Sequence, residues 1–94
     1  MLQYCNFSDM HLKQASFKES TLKECFFTNV YLKKSDFSLS DLSGTLFHNC
    51  DISYADFTHA KNYHIDPRTN TIKKAKFSLP EAVGLLYGFD ITIV

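Results

Sequence analysis

Any chemistry in this chain would have to come from its four histidines, three cysteines and acidic residues, and their spacing argues against a reacting centre. His11, His48, His59 and His64 complete no zinc-type pattern of paired Cys and His ligands. The nearest approach to a cluster is His59 and His64 with Asp66, in a stretch that reads as loop. A nucleophilic cysteine needs an accessible, activated thiolate. Cys5, Cys25 and Cys50 all fall at a position that the sequence keeps small and that is expected to face inward. They read as apolar fillers in a reduced compartment. Gly44, Gly84 and Gly88 are too scattered for a phosphate-cradling loop. No catalytic residue, metal or cofactor is expected, and the chain reads as not an enzyme. The side chains left for function are binding groups. They are the carboxylates Asp36, Asp41, Asp51 and Asp56, and the apolar residues Tyr4, Phe26, Tyr31, Leu39, Leu46 and Tyr54 at otherwise polar positions. Aromatic residues are favoured interface anchors. Phe26 and Leu46, with the four aspartates, form the candidate partner surface.

The elements that position them follow from one period. Leu2, Phe7, Leu12, Phe17, Leu22, Phe27, Leu32, Phe37, Leu42, Phe47, Ile52 and Phe57 recur every five residues without a miss. A helix needs apolar residues at i, i+3, i+4 and i+7, and a half-buried strand needs alternation; neither matches. Two residues before each anchor stands a second constrained position that is small except at Met10 and Val30, and the other three positions are mostly polar. A fixed short period of this kind is the mark of a solenoid.

A unit of one large inward residue, one small inward residue and three outward polar ones resembles the pentapeptide-repeat proteins. The resemblance implies an all-β solenoid, a right-handed quadrilateral β-helix with one pentapeptide per side and twenty residues per coil. Residues twenty apart then stack. Phe17, Phe37, Phe57 and Phe77 form one ladder; Leu12, Leu32, Ile52 and Ile72 form another. Leu2, Leu22 and Leu42 form the third, and Phe7, Phe27 and Phe47 the fourth. Phenylalanine walls face each other across the core, and so do aliphatic walls. The frame carries the β-helix over residues 1–60 as about three coils. A degenerate capping coil follows over 61–78, with anchor positions at Asn62, Pro67, Ile72 and Phe77, as terminal repeats are usually atypical. The chain starts inside the repeat, so the first coil should expose apolar surface and open strand edges, which invite pairing. That opening suggests either a longer protein or a separate cover.

Residues 79–94 form the third segment. Ser78-Leu79-Pro80-Glu81 has the form of a capping box and predicts a helix over about Leu79–Tyr87, stopping at Gly88. Its interior is apolar on more than one side, so Leu79, Ala82, Val83, Leu85, Leu86 and Phe89 are expected to cover the last coil and to meet a second copy across a twofold axis. Asp90-Ile91-Thr92-Ile93-Val94 alternates as a terminal strand would. The run from Ala60 to Pro67, then Asn70-Thr71-Ile72, Phe77 to Ala82 and Asp90-Ile91, resembles the C-terminal module of pentapeptide-repeat proteins of the Qnr quinolone-resistance and microcin-immunity type. That resemblance implies an end-to-end homodimer. It also implies an alternative function, DNA mimicry that engages DNA gyrase.

The chain is neutral overall, with ten basic and ten acidic residues. Residues 35–60 hold four aspartates and no lysine or arginine, whereas the flanking segments carry the lysines. No dominant basic face is expected, so direct nucleic-acid binding is not expected; Lys13 and Lys33 should stack on one face, which dilutes any DNA-like potential. No signal peptide, membrane span or lipidation signal is seen, which points to a cytoplasmic protein. The leading reading is a non-enzymatic dimeric scaffold whose faces bind another protein.

Overall fold

The computed structural model describes residues 2–79, 81–89 and 91. Its chain winds as a right-handed quadrilateral β-helix of about four coils. Successive coils are joined by parallel pairing in three narrow sheets. Strands β1 (Leu2–Gln3) and β3 (Leu22–Lys23) form one; β2 (Asn6–Ser8), β4 (Phe26–Thr28), β5 (Leu46–His48) and β7 (His64–Ile65) form the largest; β6 (Asp56–Phe57) and β8 (Lys76–Phe77) form the last. The remaining contacts between coils are single parallel bridges such as His11 to Tyr31, Tyr31 to Asp51 and Asp51 to Thr71. The register is twenty residues: Leu2 faces Leu22, Phe7 faces Phe27 and Phe57 faces Phe77.

Every fifth residue from Tyr4 to His59 turns a corner with φ between 52° and 71°. Only Gly44 among them is a glycine, and each of the others costs roughly 1–2 kcal/mol of local strain. On the third and fourth faces, the anchor carbonyl accepts the N–H three residues on, as in Leu12 to Ala15, Phe37 to Ser40 and Ile52 to Ala55. That bond around a left-handed third residue is a type II turn. The strain is offset because each coil adds backbone hydrogen bonds to the next, for example Leu22 N–H to Asp41 O at 2.8 Å and Asp41 N–H to Ser20 O at 2.9 Å.

Inside, the phenyl rings pile up. Phe17, Phe37, Phe57 and Phe77 stack with centroids 4.9, 4.9 and 5.1 Å apart, and Phe7, Phe27 and Phe47 at 4.8 and 4.9 Å. Between these two walls the rings meet edge to face at 5.6–6.5 Å. This is the arrangement that the ring quadrupole favours. Leu22, Phe27, Leu32, Phe37, Leu42, Ile52 and Phe57 are fully buried. Leu12, Ile72, Phe7, Phe17 and Phe77, in the end coils, are only partly buried, and Leu2 is 40% exposed.

The small inward residues do more than fill space. Thr45 donates to Leu22 O, Ser35 to Leu12 O and the Cys50 thiol to Phe27 O, each reaching an anchor carbonyl one coil below. Thr45 also accepts the Cys25 N–H. Reading the small cysteines as apolar fillers therefore needs correction for Cys50, whose thiol is a hydrogen-bond donor at 3.2 Å. All three cysteines are free, and burial pushes the Cys25 and Cys50 thiols up.

The fourth coil departs from the five-residue frame. Ile65, not Pro67, pairs with Phe47, and Asn62 is an exposed corner (φ 59°) rather than an anchor. Pro67 has no N–H to give, and it sits as the second residue of a turn closed by Thr69 N–H to Asp66 O. Asn70 restores the twenty-residue register: its Oδ1 accepts the Cys50 N–H and its Nδ2 donates to Phe47 O. Tyr63 packs on Phe57 and Phe77, its hydroxyl buried with no hydrogen-bond partner among the described residues. Burial, then the charge of Glu81, pushes that phenol up.

The cap is a 3₁₀ helix, Glu81–Phe89, beginning two residues later than the sequence suggests and wound more tightly than an α-helix. The Ser78 side chain accepts the His59 N–H instead of capping the helix; its carbonyl accepts from Ala82.

Candidate interaction faces

The outward side chains of the four walls define the candidate sites. Asp36 and Asp56 stack in register on the fourth face, between Ser16 and Lys76. Asp41 lies on the first face and Asp51 on the third. The coil thus brings only two of the four candidate aspartates together. Each carboxylate closes a turn on its own wall. Asp36 Oδ1 accepts the Ser38 N–H at 2.9 Å and hydroxyl at 2.6 Å; Asp41 and Ser43, and Asp51 and Ser53, repeat this, and Asp56 accepts the Thr58 N–H. The Ser38 hydroxyl bond holds the Asp36 carboxyl below its ordinary range, and Ser43 followed by Asn62 does so for Asp41. The second carboxylate oxygen is the one left to meet a partner.

The second face carries the four-stranded sheet, and its outer ladder reads Asn6, Phe26, Leu46, His64. Phe26 is 43% and Leu46 47% exposed, one coil apart on the wall that carries the four-stranded sheet. Tyr4, Leu39 and Tyr54 are also exposed, but each occupies a corner, away from this ladder.

His59 is a corner residue on the fourth face, whereas His64 opens β7 on the second, so the two histidines project from different walls. Asp66 is held by Arg68 through two contacts of 3.2 Å, which lower its carboxyl pKa. Among the described residues no three His, Cys, Asp or Glu side chains gather as metal ligands. No helix in this set is long and apolar enough to cross a membrane.

At the C-terminal end Leu79 is 77% and Leu86 44% exposed, Ala82 and Val83 are half-buried, and Leu85 packs on the core. Ile91, 47% exposed, lies in no strand. The side chain of Phe89 and the rest of the expected terminal strand lie outside the described residues.

On the third face the winding stacks Lys13 and Lys33, as the twenty-residue step requires, and adds further lysines from the C-terminal segment. Lys13, Lys33 and Lys73 occupy the same position of the third face in the first, second and fourth coils, with Ser53 between the last two, and Lys34 and Lys74 share its closing corner on either side of Tyr54. They come together because side chains twenty and forty residues apart become neighbours, which a reading along the chain divides between segments.

A four-sided β-solenoid with stacked phenyl walls and left-handed corners defines the class. A family model described as a pentapeptide repeat region matches residues 1–77, and the chain belongs to that family. A comparison with curated proteins returned no match. Among solved structures, two trypsin-treated variants of QnrB1, a plasmid-mediated fluoroquinolone resistance protein, superpose with TM-scores of 0.75 at 20% identity over 97% of this chain. A pentapeptide repeat protein from the Arabidopsis thaliana thylakoid lumen aligns over 69% of this chain and 63% of its own, at 20% identity and a TM-score of 0.46. The present chain spans 44% and 43% of the two QnrB1 chains.

Proposed function

We propose that the protein is a non-enzymatic scaffold, dimeric through its C-terminal segment, that binds another protein on the second face of the β-helix. The observation that carries this reading is the in-register, exposed Phe26–Leu46 ladder on a four-stranded wall. A flat parallel sheet positions two large apolar groups with almost no conformational freedom, the property of a good interface anchor. Single exposed apolar residues are ordinary, but a stacked pair on a sheet face is a continuous patch. Phe26→Ser with Leu46→Ser should leave the β-helix circular dichroism unchanged and abolish partner capture in a cross-linked pulldown from the source cell. Retained capture of the same partner by the double variant would overturn the second face as the docking site.

A second reading, protection of a topoisomerase by DNA mimicry, is supported by the Asp36–Asp56 ladder and by the likeness in fold to QnrB1. Its test is DNA gyrase supercoiling with and without a quinolone. Asparagine at 36, 41, 51 and 56 keeps the turn-closing acceptor and removes only the charge. Protection lost in that variant supports mimicry; no effect of the unmodified protein at high concentration eliminates it.

A further inference from the structure

Apart from the docking face above, the third wall has the composition of a polyanion site. Lys13, Lys33 and Lys73 stand in one column, Lys34 and Lys74 on the adjoining corner, and all but the half-buried Lys33 are exposed. The one acidic residue among them is Asp51, so the wall and its corner carry a net charge of +4, five lysines against one aspartate. Because the chain is neutral, the remainder carries −4, spread over the other three walls, their corners and the C-terminal segment. Among the described residues the only ion pair is Arg68 with Asp66, so these lysines are not neutralised by neighbouring carboxylates.

Aromatic rings interleave with the charges. His11 and Tyr31 are neighbours on the outer ladder of this wall, with centroids 5.2 Å apart and planes tilted by 34°, and Tyr54 stands at the corner under the Lys33 ammonium, 5.6 Å from its ring centroid. Lysines tracking a phosphate backbone beside rings on which bases can stack are the components of single-strand recognition. From Lys13 to Lys73 is three coil steps, about 14 Å at β-ladder spacing. That length suits about four nucleotides, the short end of single-strand sites. A duplex would engage the lysines but leave the rings idle, and an acidic protein would likewise have no use for the half-buried Tyr31 ring.

We propose that this third face binds single-stranded nucleic acid, with Lys13, Lys33, Lys73 and Lys74 on phosphates and Tyr31 against a base. The experiment is fluorescence anisotropy of the full chain with a fluorescein-labelled fifteen-nucleotide oligo(dT), titrated between 25 and 200 mM salt. Expected is binding whose logarithmic affinity falls with log salt at a slope of about −3, for about four phosphates neutralised. Lys33→Gln and Lys73→Gln should each reduce the slope by about 0.7. Tyr31→Ala should weaken binding on the order of tenfold without moving the slope. Asp51→Asn, which keeps the Ser53 turn, should tighten binding, a gain that no unfolding artefact can imitate. The proposal is overturned by absence of binding at 25 mM salt, or by slopes that ignore the lysine changes. It is overturned equally if polyglutamate competes as well as the oligonucleotide, which would assign the face to an acidic protein. Duplex DNA bound as tightly, with Tyr31→Ala neutral, would also overturn it.

Discussion

At the scale of single residues, the aspartates are first of all turn-formers, and this has a measurable consequence. The Asp36 and Asp41 carboxyls are held below their ordinary range by hydrogen bonds that are stronger to the ionised form. A depressed native pKa means the folded state binds the proton less readily than the unfolded chain. The stabilisation is therefore complete above the unfolded carboxyl value, about 3.9, and disappears as pH falls through the lower native values. Urea midpoints should be flat from pH 7 to about 5 and drop steeply below about 4. In the Asp36→Asn, Asp41→Asn double variant the acid-side drop should shrink, because the amide oxygen keeps the turn without titrating. An identical drop in that variant would assign acid lability to other carboxylates. The corners make the complementary point about what a residue type reveals. Tyr4, Glu19, Lys34 and Leu39 all sit at positive φ although none favours that region, so their conformation could not be read from their identity. Position in the coil imposes it.

At the scale of the element, the five-residue step was sufficient to define wall, coil and stacking partner, because each pentapeptide pairs along its wall with its counterparts one coil above and below. The period fails where the code lapses. Pro67 occupies an anchor position by count, yet Ile65 is the residue paired with Phe47, and the Asn70 side chain helps the backbone of Thr69 and Thr71 bring the chain back into register. Nothing in a count of five distinguishes these, since the choice depends on which side chain can both fill the core and spare an N–H. The capping segment was legible as helical and apolar but not as 3₁₀, nor was the diversion of the Ser78 side chain to His59. Of the candidate sites, the Phe26–Leu46 pairing and the Lys13–Lys33 pairing were legible from a twenty-residue interval; the addition of Lys73 and Lys74 was not, because it emerges only when the degenerate fourth coil is superimposed on the others. The stacked walls also predict graded stability. Phe37 is fully buried between Phe17 and Phe57 and edge-on to Phe27 and Phe47, so Phe37→Ala should cost about 3–5 kcal/mol. Phe77 has one stacking neighbour and partial exposure, so Phe77→Ala should cost roughly half as much. Equal losses in urea unfolding would mean that burial in the stack does not set the energy.

At the scale of the whole molecule, a solenoid has two ends, and its ends decide how it assembles. Contacts run only between neighbouring coils, so an end coil keeps half of its core without a partner. At the C-terminal end Leu85 packs against that core while Leu79, Leu86 and Ile91 remain exposed, leaving an apolar surface on the far side of the cap. A twofold axis through such a patch buries it against itself with no second complementary surface, which is why end-to-end pairing is the economical arrangement for this cap. Leu86→Glu would place a charge in that contact without touching any stacked wall. Light scattering should then report a monomer, against the dimer proposed for the unmodified protein, with the β-helix circular dichroism unchanged. The dimer should also dissociate on dilution, and its melting temperature should rise with protein concentration as mass action requires, whereas that of Leu86→Glu should not. A concentration-independent melting temperature for the unmodified chain, together with a monomer mass at tens of micromolar, would remove the dimer while leaving the second-face docking site and the lysine wall to stand or fall by their own tests.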